Sequence, residues 1–271
     1  MSEHYDGLQR RLEGGVLTIT FDRPAQLNAL WWSMVEGLTA WVDEAGKDPA
    51  VRVVVITGEG RAFCSGDDIV GGMGGPRGSD NTADRGRLVD TTTRGPHHEM
   101  VQTLLSTPKP VVAALNGRCH GAGWVIALSC DFRVAHDEVL IGDIRSEKAI
   151  FANQGVGLLL PRLIGQSRAM DLLMTGRVID ATEAERFGLI ARLWPAADFE
   201  RELATFVDGL ASGPTRTFAA WKLSVNRSVL MELDAYTDYE RWLEIGIWRT
   251  EDLKEGVRAF AEKRPPRFSG H

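Results

Sequence analysis

Few of the features that mark whole classes of protein are present in this sequence. Cysteine is scarce: Cys64, Cys119 and Cys130 are the only three in 271 residues, and none is in CxxC spacing. That argues against a disulfide framework or a zinc knuckle. Positive charge is not in excess. The chain has 31 Lys and Arg against 37 Asp and Glu, a net charge of −6, so it lacks the cationic balance that nucleic-acid binding relies on. No apolar run approaches the roughly 20 residues of a membrane helix. The longest candidate, 121–130, leads directly into Asp131 and Arg133. The opening MSEHYDGLQR has no apolar stretch of the secretory kind. His97-His98-Glu99 is a local group of metal-type ligands, but no HExxH spacing or second histidine cluster supports it. The expectation is a cytoplasmic chain with no membrane, nucleic-acid or metal partner.

What is present is ordinary soluble-protein usage, 44% hydrophobic and 25% charged, so a disordered chain is excluded. The length suffices for a sizeable core without covalent staples. Glycine, at 29 residues, is the unusual component.

Local patterns alternate between strand and helix. Residues 16–21 (VLTITF) are β-branched and alternating, and Asp22-Arg23-Pro24 ends them. Apolar residues then recur at helical spacing over 27–45, and 51–56 (VRVVVI) reads as a buried strand. From 71 to 95 large apolar anchors are few, which suggests either a lid or an inserted loop. A helix is expected over 96–105, a strand over 111–115, a buried helix from Gly123 and a short strand at 132–135. Further helices are expected over 158–175 and 181–187, the latter capped by Asp180 or Thr182, and then over most of the chain after Pro195. This is the grammar of an α/β core followed by a helical region.

Two glycine turns carry the chemical interest. The first, Arg61-Ala62-Phe63-Cys64-Ser65-Gly66-Asp67-Asp68-Ile69, follows one buried strand. The second, Asn116-Gly117-Arg118-Cys119-His120-Gly121-Ala122-Gly123-Trp124, follows another and precedes a helix. Glycines before a helix start let backbone N–H groups approach a ligand oxygen. Two such turns facing each other can stabilise one oxyanion. Neither has a nucleotide-phosphate spacing.

These turns, with Arg23-Pro24 before Asn28-Ala29-Leu30, Cys130-Asp131-Phe132-Arg133-Val134-Ala135, Leu160-Pro161-Arg162-Leu163-Ile164-Gly165 and Glu255-Gly256-Val257-Arg258-Ala259-Phe260, resemble the enoyl-CoA hydratase/isomerase (crotonase) superfamily along nearly the whole chain. The resemblance implies an α/β fold of the crotonase type, a spiral of ββα repeats over 1–195 with a helical region over 196–271 for trimerisation and for covering CoA. It implies an acyl-CoA thioester as substrate, no separate cofactor, and a homotrimer or dimer of trimers. It places the oxyanion donors on the backbone N–H of Asp67 and Ala122, with Ala62, Gly66, Asp67, Asp68, Ile69, Gly121 and Ala122 along the substrate.

The same resemblance exposes a departure. The two positions where hydratases carry glutamates read as Val125 and Arg145, and a third acidic position used by other members reads as Asn153. Neither valine nor arginine can act as a general base. The remaining candidates for proton transfer are Glu147 and Asp143, with Asp67, Asp68 and His120 behind them. Asp68 more simply holds its turn, and Asp143 or Glu147 could pair with Arg145 or Lys148. Trp31, Trp32 and Trp124 are candidates for core, subunit-contact or acyl-pocket roles, and Lys263 and Arg264 for CoA phosphates.

Overall fold

The computed structural model describes residues 4–68, 95–151, 154–229 and 231–271. Two sheets are woven from strands that alternate along the chain. The larger takes β1 (Leu8–Glu13), β2 (Val16–Phe21), β3 (Val53–Gly58), β5 (Val111–Leu115), β7 (Phe132–His136) and β10 (Arg192–Trp194), in that spatial order. The smaller takes β4 (Ala62–Cys64), β6 (Arg118–His120), β8 (Leu140–Gly142) and β9 (Ile179–Asp180). Successive pairs β3–β4, β5–β6 and β7–β8 thus each add one strand to either sheet, the spiral of repeats that the resemblance implies. Apart from the β1–β2 hairpin the large sheet is parallel, with β2, β3, β5 and β7 in continuous register. β3 and β5 read as unbroken apolar runs because both of their faces are covered, as parallel strands require.

Ten α-helices lie among the described residues. α1 (Trp32–Lys47) and α2 (Pro96–Ser106) pack together on the main core, which also encloses α3 (Ala122–Ser129). Every residue of α3 is buried, so its sequence has no amphipathic signature. The first long helix starts five residues later than its apolar spacing suggests. Leu27 and Asn28 adopt left-handed backbone (φ 52° and 57°), which a helix cannot continue through. Asn28 is fully buried and holds this corner: its Oδ1 accepts from Arg23 N–H (2.8 Å), and its Nδ2 donates to the carbonyls of Glu59 (3.0 Å) and Ala62 (2.7 Å). Asn28→Ala removes the bonds to the buried Arg23 N–H and Ala62 carbonyl, so unfolding free energy is expected to fall by about 2–4 kcal/mol, checked by urea titration.

The apolar pattern over 158–175 folds as two helices, α4 (Val156–Ile164) and α5 (Gln166–Thr175). Gly165, at φ 81° and ψ 158°, breaks the run between them. α6 (Ala181–Phe187) is capped by Asp180, whose carboxylate accepts from Glu183 N–H at 2.7 Å. The remaining helices are α7 (Phe199–Ala211), α8 (Thr215–Ser228), α9 (Leu233–Ile247) and α10 (Glu251–Glu262). α7 covers the outer face of the large sheet around Val53, Val55, Val112 and Val134. Arg52 ties the start of β3 to the C-terminal region, donating to Gly213 O, Thr215 Oγ1 and Ser269 O at 2.6 Å each. No helix among the described residues is long and apolar enough to cross a membrane.

Candidate active site

The site is built where the two sheets meet. β4 and β6 are parallel neighbours in the smaller sheet, and each runs out into one of the glycine turns. The first turn is pinned by Leu27 and Leu30: Ser65 N–H donates to Leu27 O (3.0 Å), Leu30 N–H to Gly66 O (2.8 Å) and Asp68 N–H to Leu30 O (3.1 Å). In this parallel bridge the N–H of the intervening Asp67 points away from Leu30. Asp68 anchors the same turn, its Oδ2 accepting from Arg23 Nη2 (3.0 Å) and Trp31 Nε1 (3.2 Å), with the guanidinium 3.6 Å above the Trp31 ring. Asp68 is thereby tied to both Arg23 and Trp31 at this turn.

The two turns touch. A Cβ placed on Gly66 would lie 3.3 Å from Ala122 N, from Gly121 Cα and from His120 O. Gly66 has φ 102° and Gly121 φ 56°, backbone that glycine adopts without strain. Two residues after Gly121, Gly123 lies so near β4 that a Cβ there would meet Cys64 Cβ at 2.6 Å. Ala122 is the first residue of α3, so its N–H has no intrahelical acceptor. Among the described residues no main-chain carbonyl accepts from the N–H of Asp67 or of Ala122. Two free main-chain donors thus flank one contact between two turns.

The titratable groups around it fall into distinct states. Asp143 is buried and fully engaged by Arg145, which donates from Nε to Oδ1 (2.7 Å) and from Nη2 to Oδ2 (2.6 Å) while its Nη1 reaches Gln154 Oε1 (2.9 Å). A carboxylate clamped in this way by an always-charged fork is poorly placed to take a proton. Glu147 is exposed, in a short 3-10 turn, with its stem against Gly176. His120 Nδ1 contacts Gly142 O at 3.3 Å, and burial pushes its pKa down, favouring the neutral imidazole. Val125 is fully buried in α3. Ile69, Asn153 and nearly all of the 71–95 stretch lie outside the described residues.

The structure brings one further residue to the first turn. His97, in the first turn of α2, places Nε2 2.9 Å from Asp67 Oδ1. Both side chains are largely buried, 8% and 17% exposed, and the Trp32 ring meets the imidazole edge-on at 5.4 Å. The available signal was a histidine just after Gly95-Pro96 at a helix start. Along the chain it offers only a weak metal-ligand pattern, because nothing local links it to Asp67.

All three thiols are buried. Burial pushes Cys64 and Cys130 up to about 12, and Cys119 well above its usual value. A disulfide-exchange reagent is expected to label none of the three until the chain is unfolded; rapid labelling of the native protein would contradict this. A cavity of about 550 Å³ opens elsewhere, between α4 and α8, lined by residues such as Arg162, Leu163 and Trp221 and by none from either turn. At the C-terminus Arg264 spends its fork on Glu255 (2.6 and 3.0 Å) and Glu262 (2.6 Å), holding Glu255 down to about 2.

Alternating strands feeding two sheets, with glycine turns in contact at their junction, define a crotonase-fold protein. Residues 11–271 match the enoyl-CoA hydratase/isomerase family model, and the chain belongs to that family. It is 35% identical over 266 residues to a protein from Rhodobacter capsulatus named "Probable enoyl-CoA hydratase", covering 98% of this chain and 99% of that one. It is 33% identical over 270 residues to the 1,2-epoxyphenylacetyl-CoA isomerase of Escherichia coli, covering 96% and 97% respectively. Among solved structures, the enoyl-CoA hydratase of Bacillus anthracis superposes with a TM-score of 0.89 at 29% identity, over 98% of this chain and all of the other.

Proposed function

We propose that the protein binds an acyl-CoA thioester and stabilises its enolate between the N–H groups of Asp67 and Ala122. The observation that supports this reading is the contact of the two turns, each of which carries one of these donors without a main-chain acceptor among the described residues. When a thioester loses a proton beside its carbonyl, charge moves to the carbonyl oxygen. Fixed donors at that oxygen lower the barrier without reorganising during the reaction. Ala62, Gly66, Asp67, Gly121 and Ala122 then border the thioester and pantetheine, with Asp68 keeping the first turn in place. Acyl-CoA is the substrate, and no further cofactor is called for.

Addition of water needs a base and an acid poised on one water molecule. Val125 has no proton to move and Arg145 is held by Asp143 and Gln154, so proton shifts within the acyl chain are favoured over hydration. The test is to incubate the protein with butyryl-CoA in deuterated water and follow exchange at the α carbon by NMR, with crotonyl-CoA hydration measured alongside. Exchange with little hydration is expected. Absence of acyl-CoA binding overturns the reading, and binding without exchange points to a non-catalytic CoA-binding subunit.

The helical region 196–271 is assigned to CoA covering and self-assembly. α9 has no buried residue, and Trp221, Trp242, Trp248, Leu233 and Phe260 are all exposed on the single chain. Large apolar surface of this kind marks an interface. A trimer or hexamer is expected by native mass spectrometry; a monomer at micromolar concentration would refute it.

A further inference from the structure

We propose that His97 is the proton-transfer residue of this site, oriented by the Asp67 carboxylate; the inference rests on the enolate reading above. A carboxylate only accepts hydrogen bonds, so the 2.9 Å contact requires the proton on His97 Nε2. The other ring nitrogen, Nδ1, is then the one with a free lone pair. It has no hydrogen-bond partner among the described residues. An imidazole held in one tautomer by a buried carboxylate is a competent general base, and its charged form is stabilised by the same carboxylate.

The position of Asp67 makes the pairing specific. Its main-chain N–H is one of the two oxyanion donors, and its side chain holds the histidine, so donor and base are joined through a single residue. A lone Asp67 carboxylate beside a developing enolate would repel it. Paired with His97 the site gains a positive charge as the enolate gains a negative one. In the step, Nδ1 of His97 takes the α-proton and the C–H electron pair forms the Cα=C bond of the enolate. The carbonyl π pair moves onto oxygen between Asp67 N–H and Ala122 N–H. The imidazolium then returns its proton, to the α carbon for exchange or to the γ carbon for a double-bond shift, with no net oxidation. Asp143 is clamped by Arg145 and Glu147 is exposed, so neither combines burial beside the turns with an available lone pair.

The test uses α-proton exchange of butyryl-CoA with the full-length protein, together with acyl-CoA affinity by calorimetry. His97→Ala is expected to lower exchange by about 10²-fold with affinity little changed, and added imidazole is expected to restore part of the rate. Asp67→Asn keeps the main-chain donor but removes the carboxylate charge that stabilises the imidazolium and no longer fixes the imidazole in one tautomer. It is expected to lose exchange to a similar degree, with partial recovery in Asp67→Glu. His98→Ala is expected to behave as the unaltered protein. If the unaltered protein exchanges and His97→Ala does so undiminished, the assignment to His97 falls while the enolate reading stands. A loss in His97→Ala that imidazole leaves unchanged, with the melting temperature lowered, would make His97 a structural residue and also overturn the proposal. If the unaltered protein binds no acyl-CoA or exchanges no proton, the enolate reading itself has failed.

Discussion

Gly66→Val is expected to abolish nearly all turnover, by about 10³-fold in kcat, while the protein stays folded and still binds CoA esters. The reasoning is geometric. A single Cβ at this position already approaches Ala122 N, Gly121 Cα and His120 O at 3.3 Å, and those neighbours are backbone atoms that cannot swing aside. Two further methyl groups force the turns apart. The backbone at φ 102° is also strained for a β-branched residue, at a cost of about 1–3 kcal/mol. Oxyanion donors act only within about 2.7–3.1 Å of the developing charge, and loss of one costs about 10²–10³-fold. On the enolate reading, separating the turns misplaces both. Gly66→Ala, which needs a shift of only a few tenths of an ångström, should fall between the two proteins. The measurement is acyl-CoA exchange or isomerisation rate alongside affinity and thermal melting. Unchanged turnover in Gly66→Val would remove the turn contact from the mechanism.

Lys222→Met is expected to cost about 3–5 kcal/mol of stability, the range for removing one partner of a buried ion pair. Lys222 Nζ on α8 lies 2.9 Å from Asp131 Oδ2, with only 4% of the lysine side chain exposed, and it also donates to Lys109 O at 3.2 Å. Asp131 in turn accepts from Val111 N–H at 2.7 Å, so the pair joins the C-terminal helices to the central strand β5. Burial raises the Asp131 pKa and Lys222 opposes that rise. In the variant the opposition is gone and the folded-state pKa lies further above the unfolded one. The folded variant is then relatively favoured in acid, below the unfolded-state value, and loses stability as pH rises through the raised folded value. Denaturant titrations across that range provide the check. Asp131→Asn added to Lys222→Met should recover much of the loss, because no unpaired charge then stays buried. If the single variant is as stable as the parent, the pair is not buried in solution.

Legibility in the sequence followed element length and chemistry. β2, β3 and β5 are readable because runs of five or six residues rich in β-branched and apolar side chains have few alternatives. α6 was readable to the residue, since Asp180 and Gly188 punctuate both of its ends. The strands β4, β6 and β8 have three residues each, too few to display a period of two, and they vanished into the turns they feed. α1 and the α4–α5 pair differ from their apolar spacing because that spacing continues across backbone that cannot stay helical, at Leu27-Asn28 and at Gly165.

By itself the sequence determined the order of the longer strands and helices, the two glycine turns, and the presence of Val125 and Arg145, which move no proton. All of these are local properties, set by side-chain type and by spacing along a few residues. Only the tertiary structure decided that the turns meet, that Arg145 spends its charge on Asp143, and that Asp67 meets His97 across 30 residues of chain. Such encounters depend on parallel strands of two sheets coming into register and on where α2 packs against α1. No repeat or composition along the chain encodes the distance between side chains held on different elements.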